Sequence, residues 1–215
     1  YVSYDVMGVY RKSIHNPLYP IFKGAKTIMH KTIINNGLTC NQLQLSNTIR
    51  QLWIEHVLWT RFFILSTTFS LPDLQYVTER LLQNPADFAR VFKPFYGEQT
   101  AMQFKRLLTD HLSIAAQLVN AAKAGNATEV NKQRRRWYAN AEDIARFLTS
   151  INPFWNECEW RDLLFDHLRM TEDEAVFILT GQYKKSIQEY GDIQAEALRM
   201  ADVMTCGIIR QFCIR

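Results

Sequence analysis

An internal repeat of long period limits what this chain can fold into. Asn84-Pro85-Ala86-Asp87-Phe88-Ala89-Arg90 returns as Asn140-Ala141-Glu142-Asp143-Ile144-Ala145-Arg146, and Leu107-Leu108-Thr109-Asp110-His111-Leu112 returns as Leu163-Leu164-Phe165-Asp166-His167-Leu168. The offset is the same in both pairs, and it also carries Gly125 onto Gly181. Fainter copies extend the pattern to Leu52-Trp53-Ile54-Glu55-His56 upstream and to Ala197 with Ala201 downstream. A period this long is one helix out and one helix back. The chain therefore reads as three helical hairpins, an all-α antiparallel up-and-down bundle.

The junctions repeat as well. Pro94-Phe95-Tyr96-Gly97-Glu98 parallels Pro153-Phe154-Trp155-Asn156-Glu157, with a proline to end one helix, two aromatics to plug the bundle end and a Gly or Asn to make the turn. Apolar stripes at three-and-four spacing predict helices near 47–69, 98–124, 128–151, 157–180 and 185–212. A return segment between 72 and 93 reads as broken by Asn84-Pro85 and stopped near Pro94. Ser46 or Asn47 is the expected cap of the first helix and Thr128 that of the fourth segment. With only 8 Gly and 6 Pro in 215 residues, a turn-rich all-β fold is disfavoured.

Residues 1–45 differ from the rest. They interleave Tyr1, Tyr4, Tyr10 and Tyr19 with Gly and Pro and show no helical stripe. They also carry the whole net charge of +4, because the chain beyond them holds equal numbers of basic and acidic side chains. The division expected is an irregular arm over 1–45 and a bundle domain over 46–215. Too little apolar surface lies in the arm to offset its ordering entropy, so it is expected to pack across a second copy. Tyr4, Tyr10, Tyr19, Ile21 and Phe22 are the predicted anchors, and a homo-oligomer or higher assembly is the expected partner state.

Each outgoing helix carries an acid followed by histidine: Glu55-His56, Asp110-His111 and Asp166-His167. All three histidines fall in apolar stripes and so face the interior. If the helices surround one axis, the imidazoles converge as ligands for a transition metal, with acids as outer partners. Asp143, Asp87 or Glu196 from return helices can complete such a site, Asp143 being the fourth ligand of choice. The competing reading is a buried structural histidine, hydrogen-bonded to a carboxylate or to a return-helix Asn. The Glu-x-x-His pairs of a helical di-iron site are missing.

Other chemistry is disfavoured. Cys40, Cys158, Cys206 and Cys213 show no zinc-ribbon or CxxC spacing. No phosphate-binding glycine loop and no nucleophile elbow are present, so an enzyme is not expected and no catalytic residue is named. Arg134-Arg135-Arg136 is a dense basic run without a matching stripe, so no nucleic-acid partner is expected. No apolar run is long enough to cross a bilayer. With no signal peptide visible, an intracellular or spore-associated location is expected.

From about Leu52 to Phe212 the chain resembles a family of small all-helical proteins of spore-forming Firmicutes. The resemblance is carried by Leu52-Trp53-x-x-His56-x-x-Trp59-Thr60-Arg61, Leu81-Leu82-x-Asn84-Pro85-x-Asp87-Phe88, Phe95-Tyr96-Gly97, Leu108-x-x-His111-Leu112-x-Ile114-Ala115-Ala116-Gln117-Leu118-Val119, Asn152-Pro153-Phe154-Trp155 and Met200-Ala201-Asp202. Such proteins are labelled spore coat proteins or acetylglutamate kinases. The kinase label implies glycine-rich phosphate loops that this sequence lacks. The resemblance implies a ferritin-like helical bundle and a structural, self-associating role in a spore coat or a comparable assembly. A metal-binding bundle using the three histidines is the first alternative, and an enzyme of unknown reaction the second.

Overall fold

A computed structural model describes residues 37–215. The five predicted anchors of the arm, Tyr4 to Phe22, lie outside the described residues. Among the described residues there are helices and no strands: α1 Cys40–Phe69, α2 Leu74–Lys123, α3 Ala127–Ile151, α4 Glu157–Leu179 and α5 Tyr183–Phe212. None of these helices is long and apolar enough to cross a membrane.

The helices form an antiparallel bundle. α2 is two helices in one. Gly97 leaves the helical region with φ 79° and ψ 168°, a conformation that suits glycine, and divides the element into 74–96 and 98–123. The hairpins are thus α1 with the first half of α2, the second half of α2 with α3, and α4 with α5. Neighbours pack in chain order, and α5 returns to α1 to close the ring. α1 also touches α4 across the interior.

Several local expectations change. The bundle begins earlier than residue 46, because Thr39 caps α1. Its Oγ1 accepts from the Gln42 amide at 3.3 Å, while the Gln42 side chain accepts from the Thr39 amide at 3.0 Å. This reciprocal cap satisfies two amides at the true start of the helix, a role expected of Ser46 or Asn47. Asn126, rather than Thr128, caps α3. Pro85 and Pro94 lie inside α2. Each removes one backbone donor, but Phe88 and Phe92 beside them are fully buried and hold the helix to the core. The chain turns at Gly97 instead.

Of the four aromatics expected to plug the bundle end, Phe95, Tyr96 and Trp155 pack on the core, whereas Phe154 is exposed. Tyr96 and Trp155 rings lie 6.0 Å apart. Asn152 donates to the Tyr96 hydroxyl at 2.9 Å, and that hydroxyl donates to Gln211 at 3.1 Å. The Trp155 indole donates to the Val203 carbonyl at 3.1 Å and lies so close to Gly207 that a Cβ there would meet its ring at 1.9 Å. Within the basic run the Arg134 Nε donates to both Glu172 oxygens at 2.9 Å and Arg136 bonds Gln117 and Gln133, while Arg135 and Arg136 are exposed. All four cysteines are free and exposed.

The buried side chains divide into two apolar clusters. The larger includes Trp53, Phe88, Phe104, Leu108, Trp160 and Leu164; the smaller includes Phe63, Ile64, Leu81, Leu112, Val119 and Ile178. On each outgoing helix members of the larger cluster flank a histidine, and members of the smaller cluster follow it.

Candidate metal centre

His56 on α1, His111 on the second half of α2 and His167 on α4 are each 2% exposed. They meet in the interior, with ring centroids 5.6, 6.1 and 6.4 Å apart. One ligand nitrogen from each lies within 4.8 Å of the others. Among the described residues this is the group arranged to hold an ion.

Return helices fix the rings. His56 Nδ1 lies 3.1 Å from Asn84 Oδ1, and His111 Nδ1 lies 2.9 Å from Asn140 Oδ1. The amides cannot be turned over, because their nitrogens already donate to backbone: Asn84 to the Leu52 carbonyl at 3.0 Å and Asn140 to the Leu107 carbonyl at 3.1 Å. Each acceptor carbonyl sits four residues before the histidine in question. An oxygen facing Nδ1 requires Nδ1–H to be the donor. The lone pair then resides on Nε2, the tautomer a metal ligand needs.

The third hairpin places Glu196 where the first two place Asn. The step from Asn84 to Asn140 is the repeat period, and the same step from Asn140 reaches Glu196. Glu196 Oε2 lies 3.4 Å from His167 Nδ1, its side chain is 10% exposed, and neither carboxylate oxygen has a hydrogen-bond partner among the described residues. A carboxylate has no N–H, so it cannot repeat the second amide bond to the outgoing helix.

A second inward carboxylate shows what a matched one looks like. Glu174, two turns after His167, is 1% exposed and ion-paired with Arg61. Arg61 also donates to the Ser186 carbonyl at 3.1 Å and lies 5.0 Å over the Tyr190 ring. Burial pushes the Glu174 carboxyl up to about 7, and the Arg61 bond and charge pull it back down. Among the described residues Glu196 has no such cation.

Burial lowers His56 from 6.5 to about 3, assisted by the His167 charge and opposed by the Asn84 bond. Burial likewise holds His111 well below 6.5, helped by His56 and His167. Both rings are therefore neutral at pH 7, with Nε2 available to a Lewis acid. Donors at the corners of a 4.8 Å triangle sit about 2.8 Å from its centre. Bonds of about 2.0–2.1 Å ask each ring to move in by under about 1 Å.

The acids expected around the site are elsewhere. Asp143 is not part of it: its side chain is 54% exposed and ion-paired with Arg146. Three residues beyond Asn140, it is turned about 60° around α3, enough to leave the interior. Glu55 and Asp87 both engage Arg80, and Asp110 and Asp166 are exposed. The partners are the residues aligned with Asn84, of which sequence reasoning weighed Glu196 and a return-helix Asn. Comparison of the chain with protein-family models, curated proteins and solved structures returns no match.

Proposed function

We propose that the protein is a metal-binding helical bundle holding one transition-metal ion on the Nε2 atoms of His56, His111 and His167. The observation that carries this is the buried triad, with every Nδ1 facing an oxygen from a return helix. Buried imidazoles in a purely packing role need one partner each. His56 and His111 have that partner, and one nitrogen of each of the three rings still lies within 4.8 Å of the others. The unpartnered Glu196 carboxylate supports the same reading, since a buried anion is costly unless a cation neutralises it.

The donor set selects a class of metal. Three imidazoles suit Zn, Fe, Co, Ni or Cu and not Mg or Ca. Three protein ligands also leave a coordination position open, the arrangement of sites that bind an exogenous ligand. No reaction is assigned to it. The test is elemental analysis of protein loaded with Zn(II) or, without air, with Fe(II). One ion per chain, lost in His111→Ala, is the expected result. Folded protein that retains neither ion after desalting overturns the reading.

Self-association, the role expected first from the sequence, is a second reading. Phe69, Leu71, Tyr183 and Ile187 are exposed where α1 ends and α5 begins, and the Phe69 and Tyr183 rings lie 6.1 Å apart. Apolar side chains grouped in this way favour a contact with another copy. The ferritin-like and spore-coat assignments rest on the sequence resemblance and belong to this second reading. Native mass tests it: a monomer at all concentrations removes it.

A further inference from the structure

The number of ligands and the charge around them narrow the choice of ion. The group that can close on one ion is three histidines, and among the described residues no cysteine or carboxylate joins it. Glu196 stands behind His167, 3.4 Å from its Nδ1, and so backs that ring rather than entering the set. Zinc is almost always held by four ligands, and the other divalent candidates take four or more. Each of them needs a further ligand from outside the chain. Cu(I) does not: its filled d shell imposes no tetragonal or octahedral geometry, and three imidazoles in a plane satisfy it. The triad is close to that arrangement, with ring centroids 5.6, 6.1 and 6.4 Å apart.

Charge points the same way. The imidazoles of His56 and His111 are neutral ligands, since Asn84 and Asn140 accept from Nδ1–H and leave Nε2 unprotonated. Glu174 is matched by Arg61 and adds nothing to the net charge. Glu196 remains, a carboxylate with both oxygens free of hydrogen-bond partners among the described residues. The surroundings are apolar: Trp53 packs 5.7 Å from His56 and Trp137 5.3 Å from His111, and both indoles are buried. Net charge in such an interior is costly. A monovalent ion brings the centre to zero. A divalent ion leaves one positive charge unless an anion enters with it.

We propose that the ion is monovalent copper, Cu(I), held by three imidazoles alone, with the Glu196 carboxylate as its counter-charge. The inference rests on the three-histidine metal reading and adds to it the identity, charge and coordination number of the ion. The trigonal set also disfavours Cu(II), which prefers tetragonal geometry, so the site holds its copper reduced.

The four cysteines are exposed and would compete for Cu(I). The test therefore uses full-length protein carrying Cys40→Ser, Cys158→Ser, Cys206→Ser and Cys213→Ser, with wild-type protein alkylated at its thiols as the second preparation should the first fail to fold. Each is loaded without air with Cu(I) in the presence of a chromophoric Cu(I) chelator, then challenged with Zn(II). One Cu(I) per chain is expected, held at least about tenfold more tightly than Zn(II) and lost on adding His111→Ala. X-ray absorption should show three nitrogen neighbours and no fourth ligand, and electron paramagnetic resonance should stay silent after exposure to air. A fourth ligand, displacement of copper by equimolar Zn(II), or a Cu(II) signal overturns the proposal, while retained Zn(II) leaves the metal reading standing. Folded protein that takes up neither copper nor Zn(II) or Fe(II) overturns both.

Discussion

The first two hairpins and the third place a histidine at the same depth and support it differently. Behind His56 and His111 stands an asparagine that accepts from the ring and donates to the backbone four residues earlier. Behind His167 stands Glu196, which can accept but has nothing to donate. In a protein that only had to pack, the amide is the better residue at all three places, because it leaves no polar atom unsatisfied. One carboxylate among two amides is the composition expected when a cation occupies the centre: it supplies charge where two neutral partners supply only orientation.

Four experiments break or sharpen that contrast, in order of their expected effect on metal binding. The largest comes from treating the hairpins alike. His111→Ala removes a ligand and should reduce metal content to background. It should also cost about 1–3 kcal/mol of metal-free stability by leaving Asn140 Oδ1 buried without a donor. Retained metal would mean that the ion sits elsewhere.

Acidification comes next. His56 and His111 have folded values below the 6.5 of the unfolded chain, so the unfolded state binds more protons as pH falls below about 6.5. Their contribution is whole above that value and is lost progressively toward about 3 for His56. Glu174, raised to about 7 from 4.5, works in the opposite sense: its contribution is lost as pH rises through about 7. Two histidines outweigh one carboxyl, so the urea midpoint of metal-free protein should fall between about pH 7 and pH 5, and bound metal should be released over the same range. A midpoint that rises on acidification would show that the rings are not held neutral.

Glu196→Gln separates the third hairpin from the other two. Removing the charge should weaken metal affinity about 10–100-fold. The same change should raise metal-free stability by about 1–3 kcal/mol, since an unpartnered buried carboxylate disappears. Opposite signs in the two measurements are the signature, and a loss in both would make Glu196 a packing residue. The smallest effect on metal is expected from Asn140→Asp, which gives the second hairpin a carboxylate too. Affinity should shift by less than about tenfold. Metal-free protein should lose about 1–3 kcal/mol, because the Leu107 carbonyl forfeits its donor; an unchanged denaturation midpoint would show that this bond contributes nothing.

The architecture was legible because duplication copies spacing. The repeat period placed the hairpins, and the apolar stripes put His56, His111 and His167 inside without any coordinates. Helix ends were less legible. Thr39 precedes the stripe by several residues, and the prolines at 85 and 94 sit where Phe88 and Phe92 anchor the helix despite the lost donors. The centre's outer partners were half visible: Asn84 and Asn140 open the repeated segment, and Glu196 was among the acids weighed. Asp143 is the fourth ligand expected from the sequence, yet a turn of about 60° decides that it meets Arg146 and solvent. The third copy of the segment has diverged so far that only its position, one repeat period beyond Asn140, marks Glu196.

The level at which the three histidines meet also has a mechanical meaning. A bundle whose core is aliphatic along its whole length lets one hairpin slide on its neighbours at little cost, since one layer of leucines resembles the next. Here a slip of one turn, about 5.4 Å, would drive an imidazole in among the leucines and phenylalanines. Three such rings at one level act as detents, and they set the axial alignment of the hairpins.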